Sequence, residues 1–289
     1  MNNDYNKADY SSIEKIIAGI DEKKLLLPEF QRNFTWSLEQ SVDLFDSLAR
    51  GIFIGPLIMA QPKFNLYCKE FNNNPRKGKG SRKAINERNY LEKEFERENI
   101  NVLLDGQQRV TSIYRALKGS DKLYFVLRKP EDISTHSEEI KTIEYIIQGF
   151  SSEKTSENIH LEISSIYRLI KEDWRERRIE KEILNPAIDE CNFNDELDDD
   201  LKDRYFELVL RLKTLFSMLI SDKTLLSVFL LDMDLEKFCM FFERSNSRGI
   251  SLNFIDIITA KIYVGFNLRK KIEQFASDKA MELDSATVE

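Results

Sequence analysis

Residues 102–111, with the sequence VLLDGQQRVT, restrict the fold more than any other stretch of this chain. A short apolar run typical of a buried strand ends at Asp105 and Gly106. The apolar positions of a helix follow directly, namely Val110, Ile113, Tyr114 and Leu117. A strand that turns straight into a helix leaves unpaired backbone N–H groups at the positive end of the helix dipole. The sequence therefore predicts a strand–turn–helix junction with the properties of a phosphate site.

The side chains of this junction allow two interpretations. Arg109 offers a planar fork of donors, and Gln107 and Gln108 offer amides that can position a ligand. Asp105 is the one acid of the stretch and is our candidate for holding Mg²⁺ or orienting water, although Asp before Gly also shapes turns. The alternative is a structural junction in which Arg109 pairs with a carboxylate. The residues of the junction alone favour neither interpretation.

Composition excludes several functional classes. The net charge of -7 excludes a uniformly basic nucleic-acid binder, so contact with a polyanion requires a local patch. Three widely spaced cysteines (Cys68, Cys191 and Cys239) suggest neither a disulfide framework nor a zinc site. His136 and His160 lie in polar stretches, which argues against a histidine metal cluster or a Ser-His-Asp triad. No signal pattern or membrane-spanning run is present, so we expect a cytoplasmic protein with no membrane partner.

Periodicity predicts an α+β fold, with a small mixed sheet and helices followed by a mainly α-helical domain. A capping box at Ser37 and Gln40 begins a helix that should end at Gly51. We expect three segments in this order: a first domain over residues 1–130, a linker over 131–157 and a helical domain over 158–289.

An insertion at about residues 61–98 separates two predicted strands. Residues 76–83 carry two glycines and no acid, which predicts a mobile loop able to contact a nucleic-acid backbone. The basic residues of this loop are Arg76, Lys77, Lys79, Arg82 and Lys83. A solvated loop tip without a ligand is the alternative. Residues 87–98 mix both charges and predict an exposed helix.

Two further segments place polar groups where packing does not require them. One is residues 30–36, which include Gln31 and Arg32. The other is residues 242–252, in which an apolar helix gives way to a polar elbow with Asn246 and Arg248.

Taken together, the three segments resemble the DGQQR-containing domain of GmrSD-type, modification-dependent restriction systems, a relative of ParB and sulfiredoxin. The resemblance rests on three motifs, which are LPEFQRNFTW at 27–36, VLLDGQQRVT at 102–111 and NSRGISL at 246–252. The resemblance extends from Leu25 to about Tyr263, and the insertion at 61–98 has no counterpart in it. It implies a ParB/sulfiredoxin-like fold in which the strand–turn–helix junction holds nucleotide phosphates.

The resemblance also implies a function. It indicates a regulatory module that binds and hydrolyses a nucleoside triphosphate (GTP or ATP, with CTP as a third candidate) with Mg²⁺. Its expected partners are an HNH-type nuclease domain or subunit and modified phage DNA. Neither histidine lies near the C-terminal motif, so we do not expect this chain itself to be an HNH nuclease.

We assign roles to the site residues on this basis. Nucleotide binding is assigned to Gln31, Arg32, Gly106, Gln107, Asn246 and Arg248. Catalysis is assigned to Asp105, Gln108 and Arg109. The hypothesis predicts that Arg109→Ala abolishes nucleotide binding and leaves the stability of the free protein nearly unchanged.

Two other functions remain open at this stage. The chain could be a DNA-binding module that senses a modification without hydrolysis, or an adaptor without either activity. The sequence also leaves open whether the chain forms a homodimer.

Overall fold

The computed structural model describes residues 6–130, 142–193 and 197–246. The strands in these ranges are β1 (Asn6–Ser11), β2 (Leu25–Pro28), β3 (Leu57–Pro62), β4 (Leu66–Lys69), β5 (Glu87–Tyr90), β6 (Asn101–Asp105), β7 (Tyr124–Leu127), β8 (Ile147–Ser151), β9 (His160–Glu162) and β10 (Leu225–Met233). The helices are α1 (Ile13–Asp21), α2 (Leu38–Ala49), α3 (Glu92–Arg97), α4 (Gln107–Leu117), α5 (Ile163–Lys171), α6 (Glu176–Ile179), α7 (Asn185–Asp189), α8 (Asp199–Ser221) and α9 (Leu235–Asn246). A π-helical segment (Glu180–Leu184) joins α6 to α7, and a 3-10 turn (Ile143–Tyr145) precedes β8.

The strands form a larger mixed sheet and a smaller antiparallel one. The larger sheet has the order β1-β10-β3-β6-β2-β4-β5, and the smaller has the order β8-β7-β9. In the larger sheet β10 is parallel to β3 and β2 is parallel to β6, whereas the other neighbours are antiparallel. A mixed sheet packed with helices confirms the predicted α+β class. A specific likeness to ParB or sulfiredoxin stays a prediction.

Strand β6, which leads into the junction, is covered on both faces. Leu103 belongs to the hydrophobic cluster that includes α1, α2, α4, α5 and α8, whereas Val102 and Leu104 belong to the cluster that includes α3 and α9. Alternate side chains of a strand point to opposite faces, so a strand covered on both faces needs an uninterrupted apolar run. This double burial explains the Val-Leu-Leu run and holds the following turn in place.

Two parts of the chain differ from the sequence-based prediction. Beyond residue 158 we expected mainly helix, but β10 is an internal strand of the larger sheet, paired with β1 and β3. Its short apolar run suits a helix or a strand equally, and only the neighbouring strands decide between them. The predicted linker contains β8, and the predicted helix at 87–98 divides into β5 and α3.

The helix that leads towards the site begins and ends as predicted. At its start the hydroxyl of Ser37 accepts from the Gln40 amide at 3.3 Å, and the side-chain oxygen of Gln40 accepts from the Ser37 amide at 3.0 Å. Its end is followed by Gly51, whose φ of 65° lies in the left-handed region. The loop 51–56 then carries the chain into β3.

Candidate functional site

The junction between β6 and α4 has the predicted strand–turn–helix geometry. Gly106 is the N-cap of α4 and has a φ of 94°. Among the described residues no side chain caps the start of the helix, and no acidic residue lies in its first turn. The first backbone N–H groups of a helix have no partner within the helix itself. The start of α4 therefore keeps the donors that an anion requires.

Glycine at position 106 is required by its surroundings as well as by its dihedral angle. A Cβ atom at this position would lie 2.5 Å from Cδ2 of Leu57, which is buried in the core. A residue with a side chain would also be strained at this positive φ. The turn itself therefore requires glycine at position 106.

The side chains of the two glutamines of the junction bind the loop 31–36. Gln107 donates to the carbonyl of Arg32 at 2.8 Å. Gln108 is buried; its Nε2 donates to the Asn33 carbonyl at 3.1 Å, and its Oε1 accepts from the Thr35 amide at 2.9 Å. Both ends of the Gln108 amide are thus engaged with loop backbone. In this arrangement Gln108 holds the loop, and its catalytic assignment stays a prediction.

Arg109 holds the second neighbouring loop, 51–56. Its Nη1 donates to the Ile54 carbonyl at 2.6 Å, and its Nη2 donates to the Pro56 carbonyl at 3.0 Å and to Oδ2 of Asp105 at 3.1 Å. Burial lowers the pKa of Arg109, although the charge of Asp105 opposes this shift. Three of the five guanidinium donors are used in this way, which leaves two for a ligand.

These bonds change one expectation from the sequence. Arg109 was expected to contribute little to the stability of the free protein, but its side chain is 16% exposed and binds two backbone carbonyls. Removing it leaves partly buried carbonyls without donors, which costs free energy whether or not a nucleotide binds. The predicted ligand contact and the structural ion pair with Asp105 are therefore not exclusive alternatives.

The loop 31–36 brings one buried and one exposed polar residue to the junction. Nε2 of Gln31 donates to the carbonyls of Leu103 and Leu104 at 3.2 and 2.9 Å, while its buried Oε1 has no hydrogen-bond partner among the described residues. Arg32 is exposed, and its guanidinium makes no hydrogen bond or ion pair with the residues that the structure describes. Arg32 is thus the cation beside the start of α4 that is free to meet a ligand.

The C-terminal motif can be followed as far as the end of α9. The ring of Phe242 packs edge-on against Phe30 with 5.0 Å between centroids, next to Gln31. Asn246 is the last residue of the helix, about one turn beyond Phe242. Arg248 lies outside the described residues, so its assignment stays a prediction.

The basic segment of the insertion divides into an anchored residue and an exposed loop. Arg76 donates from Nε and Nη2 to both oxygens of Asp121 at 2.8 and 2.7 Å, and from Nη1 to the Trp36 carbonyl at 2.7 Å. These contacts anchor the guanidinium of Arg76, whose side chain is 31% exposed, and its role in nucleic-acid binding stays a prediction. The remaining basic residues are exposed, namely Lys77, Lys79, Arg82 and Lys83. Hydrogen bonds at Gly78 and Gly80 shape their loop into turns.

Two residues important for the site's shape were not anticipated from the sequence. Asp121 is 2% exposed, and it also accepts from Nε and Nη2 of Arg115 at 2.9 and 2.8 Å. Burial raises the pKa of the Asp121 carboxyl, but hydrogen bonds from Arg115 and Arg76 outweigh this effect, so the pKa lies below its usual value. The one signal in the sequence that could have indicated a buried arginine was the position of Arg115 between the apolar residues Ile113 and Ala116 of α4.

The described residues limit the other kinds of site. They contain no group of three or more His, Cys, Asp or Glu side chains arranged to hold a metal ion. Across the same ranges, every helix is too short or too polar to cross a bilayer. Cavities of about 690, 440 and 600 Å³ are present, but none of these three is lined by Gln31, Arg32 or residues 105–109.

Comparison with known proteins identifies the family. The model of the GmrSD restriction endonuclease N-terminal domain matches residues 13–263, which is most of the chain. No curated protein matches the sequence. The match includes the uncapped start of α4 and both loops that its side chains hold. The chain therefore belongs to the family of GmrSD restriction endonuclease N-terminal domains.

Proposed function

We propose that this chain binds and hydrolyses a nucleoside triphosphate at the start of α4 and regulates the nuclease of a restriction system. The nuclease is a domain or subunit of the HNH type, and the target is modified phage DNA. One observation carries the proposal: within the described structure the start of α4 has no side-chain cap and no acid in its first turn, and exposed Arg32 lies beside it. An anion is the ligand that satisfies such a set of donors.

The residues of the junction suit a phosphate chain. The backbone N–H groups of Gln107 and Gln108 donate to phosphate oxygens, and Arg32 and the two remaining donors of Arg109 neutralise its charge. We also assign Asn246 to this ligand; it is the last residue of α9, whose Phe242 contacts Phe30 beside the loop 31–36. In this assignment Gln31 supports the site, because the side-chain amide of Gln31 binds the carbonyls at the end of β6.

Asp105 is the carboxylate available for Mg²⁺. Its side chain is 50% exposed and is shared with Arg109. Magnesium bound to a nucleotide commonly takes one or two carboxylates and completes its shell with phosphate oxygens and water. A single carboxylate at the junction fits that requirement. The metal would supply charge neutralisation on the phosphates, and Asp105 would orient it.

The test is a thermal-shift panel of the chain with GTP, ATP, CTP and their diphosphates, with and without Mg²⁺, followed by phosphate release. A ligand that binds only the folded state raises the midpoint by mass action. We expect one triphosphate to raise the midpoint in a manner that depends on Mg²⁺. No shift with any nucleotide would refute the proposal.

Arg32→Ala identifies the site within that panel. Because the Arg32 side chain has no partner in the described structure, this variant should keep the midpoint of the free protein and lose most of the shift caused by the triphosphate. Arg177→Ala is the matched control, since Arg177 is an exposed arginine on α6. An unchanged nucleotide shift in Arg32→Ala would place the ligand elsewhere.

DNA binding without hydrolysis is the second candidate, favoured by the exposed loop with Lys77, Lys79, Arg82 and Lys83. It predicts DNA affinity that falls steeply with salt, and a smaller salt slope when the four residues are changed to alanine. If neither nucleotide nor DNA binds but a nuclease does, the chain is an adaptor.

A further inference from the structure

Asp121 is the buried centre of a cluster that connects the insertion, α4 and the loop 31–36. Its side chain is fully buried and accepts four hydrogen bonds, two from Arg76 and two from Arg115, at 2.7 to 2.9 Å. Two arginines thus share one carboxylate. Charge-assisted, bidentate bonds of this kind fix the direction of both guanidinium groups.

The second arginine of this cluster leaves an excess positive charge, and the loop 31–36 helps to compensate it. The guanidinium groups of Arg76 and Arg115 both lie over the ring of Phe34, at 5.2 and 5.3 Å from its centroid. Arg76 also donates to the carbonyl of Trp36. The face of an aromatic ring and a carbonyl oxygen both attract a cation. The cluster therefore holds Phe34 and Trp36 from the side of the insertion.

The same loop is also held by the two glutamines at the start of α4. Gln108 binds the backbone of Asn33, Thr35 and Trp36, and Gln107 binds the carbonyl of Arg32. Arg32 itself lies between buried Gln31 and these fixed positions, and its guanidinium has no partner in the described part of the chain. A fixed backbone on both sides of a free cation lowers the ordering cost of binding an anion.

We propose that Asp121, acting through Arg76, is a positioning residue that presents Arg32 to a polyphosphate at the start of α4. This inference rests on the proposed nucleotide-binding function and adds to it. It gives Arg76, the first residue of the basic segment of the insertion, a role in the site, although Asp121 and Arg76 do not touch the ligand. Arg115 keeps Asp121 paired when Arg76 is changed, so the core of the cluster survives that substitution.

Arg76→Ala tests the proposal by hydrogen–deuterium exchange and by titration with GTP, ATP and CTP, each with Mg²⁺. We expect the amides of Thr35 and Trp36 to exchange faster and the affinity for the triphosphate that binds the wild type to fall about 2- to 10-fold, the range for one side chain that must be ordered on binding. Arg76→Lys should restore part of both. Arg88→Ala, which changes an arginine of the insertion placed on β5 over Tyr90, should alter neither.

The outcomes separate this inference from the function on which it depends. Faster exchange with unchanged affinity would show that the cluster only stabilises the loop, and unchanged exchange would show that Arg76 does not hold it; either result overturns the proposal. If the wild type binds none of the three triphosphates, the proposed function fails and the positioning role fails with it. If only the positioning role fails, the wild type still binds a triphosphate, and the failure appears only in the Arg76→Ala variant.

Discussion

The junction 105–109 and the basic loop 77–83 are both polar in sequence, but their side chains have opposite roles. In the junction, Gln107, Gln108 and Arg109 are directed inward and bind the backbone of two loops. In the loop, the charged side chains are exposed to solvent. The difference teaches that the side chains of a polar motif can preserve the shape of a site. The ligand is then bound by the backbone of the motif and by a neighbouring residue such as Arg32.

The physical reason lies in the hydrogen-bonding needs of the two loops. The loops 31–36 and 51–56 carry backbone carbonyls that no strand satisfies, and partly buried carbonyls need donors. Glutamine and arginine supply several donors from one side chain, so three consecutive residues at the start of α4 can hold two loops. The loop 77–83 contains glycines and is exposed, so water can satisfy its backbone.

The largest effect should come from removing the buried carboxylate that supports the junction. Asp121→Ala leaves Arg115 buried without its partner, and we expect a loss of about 3–5 kcal/mol in the free energy of unfolding, measured with urea. Asp232→Ala is the control, because Asp232 pairs with Lys63 and Lys237 on the surface and should have little effect. Equal losses in the two variants would contradict the distinction between buried and exposed charge.

Arg109→Ala should have the next largest effect. The Ile54 and Pro56 carbonyls lose their donors, and we expect a loss of about 1–3 kcal/mol without any nucleotide. The measurement is the urea midpoint of the free protein. Nucleotide binding should also be lost, but Arg32→Ala is the cleaner test because it leaves the loops intact. A stability equal to that of the wild type would mean that Arg109 does not hold loop 51–56 in solution.

Gly55 tests how closely loop 51–56 approaches Arg109. A Cβ atom at Gly55 would lie 2.8 Å from Nη1 of Arg109, and the φ of 88° adds strain of about 1–2 kcal/mol. Gly51 is a matched control, since its φ is 65° but a Cβ atom there would meet nothing within 4 Å. We therefore expect Gly55→Ala to lower the thermal midpoint more than Gly51→Ala. Equal shifts of the thermal midpoint in the two variants would mean that backbone strain accounts for the whole effect.

At acid pH we expect the same buried carboxylate, Asp121, to have a smaller effect on the free energy of unfolding. The pKa of Asp121 is held below its usual value, so its contribution to stability is complete above the unfolded pKa of about 3.9 and is lost as the pH falls through the folded pKa. The stability difference between the wild type and Asp121→Asn should stay constant above about pH 5 and shrink below about pH 4. Urea unfolding across this range measures it, and a difference independent of pH would contradict the assignment.

The smallest effect on stability should come from the basic loop. Changing Lys77, Lys79, Arg82 and Lys83 together to alanine should alter the free energy of unfolding by no more than about 0.5 kcal/mol, because all four side chains are exposed. Urea unfolding provides the measurement. A large loss would show that the loop packs against the protein, and the contrast with the junction would then disappear.

The prediction from sequence was most accurate where local signals determine the structure. The Val-Leu-Leu run, Gly106 and the helical spacing after it predicted the β6–α4 junction, and the capping box predicted the start of α2. Strand β10 could not be recognised, because its pairing partners β1 and β3 are far away in the chain. The partners of Arg76 and Arg109 could not be predicted either, since a sequence does not indicate which groups a charged side chain will contact.

The sequence by itself determined the family, the α+β class and the position of the junction, because these depend on local periodicity, on glycine and on motif order. Only the tertiary structure decided that Gln108 and Arg109 hold loops, that Arg76 is bound to Asp121 and that no described residue pairs with the side chain of Arg32. Hydrogen bonds between residues 40 to 75 positions apart exist only after the sheet and helices have brought the loops together. Which donors are engaged within the protein, and which remain for a ligand, is therefore a property of the folded state.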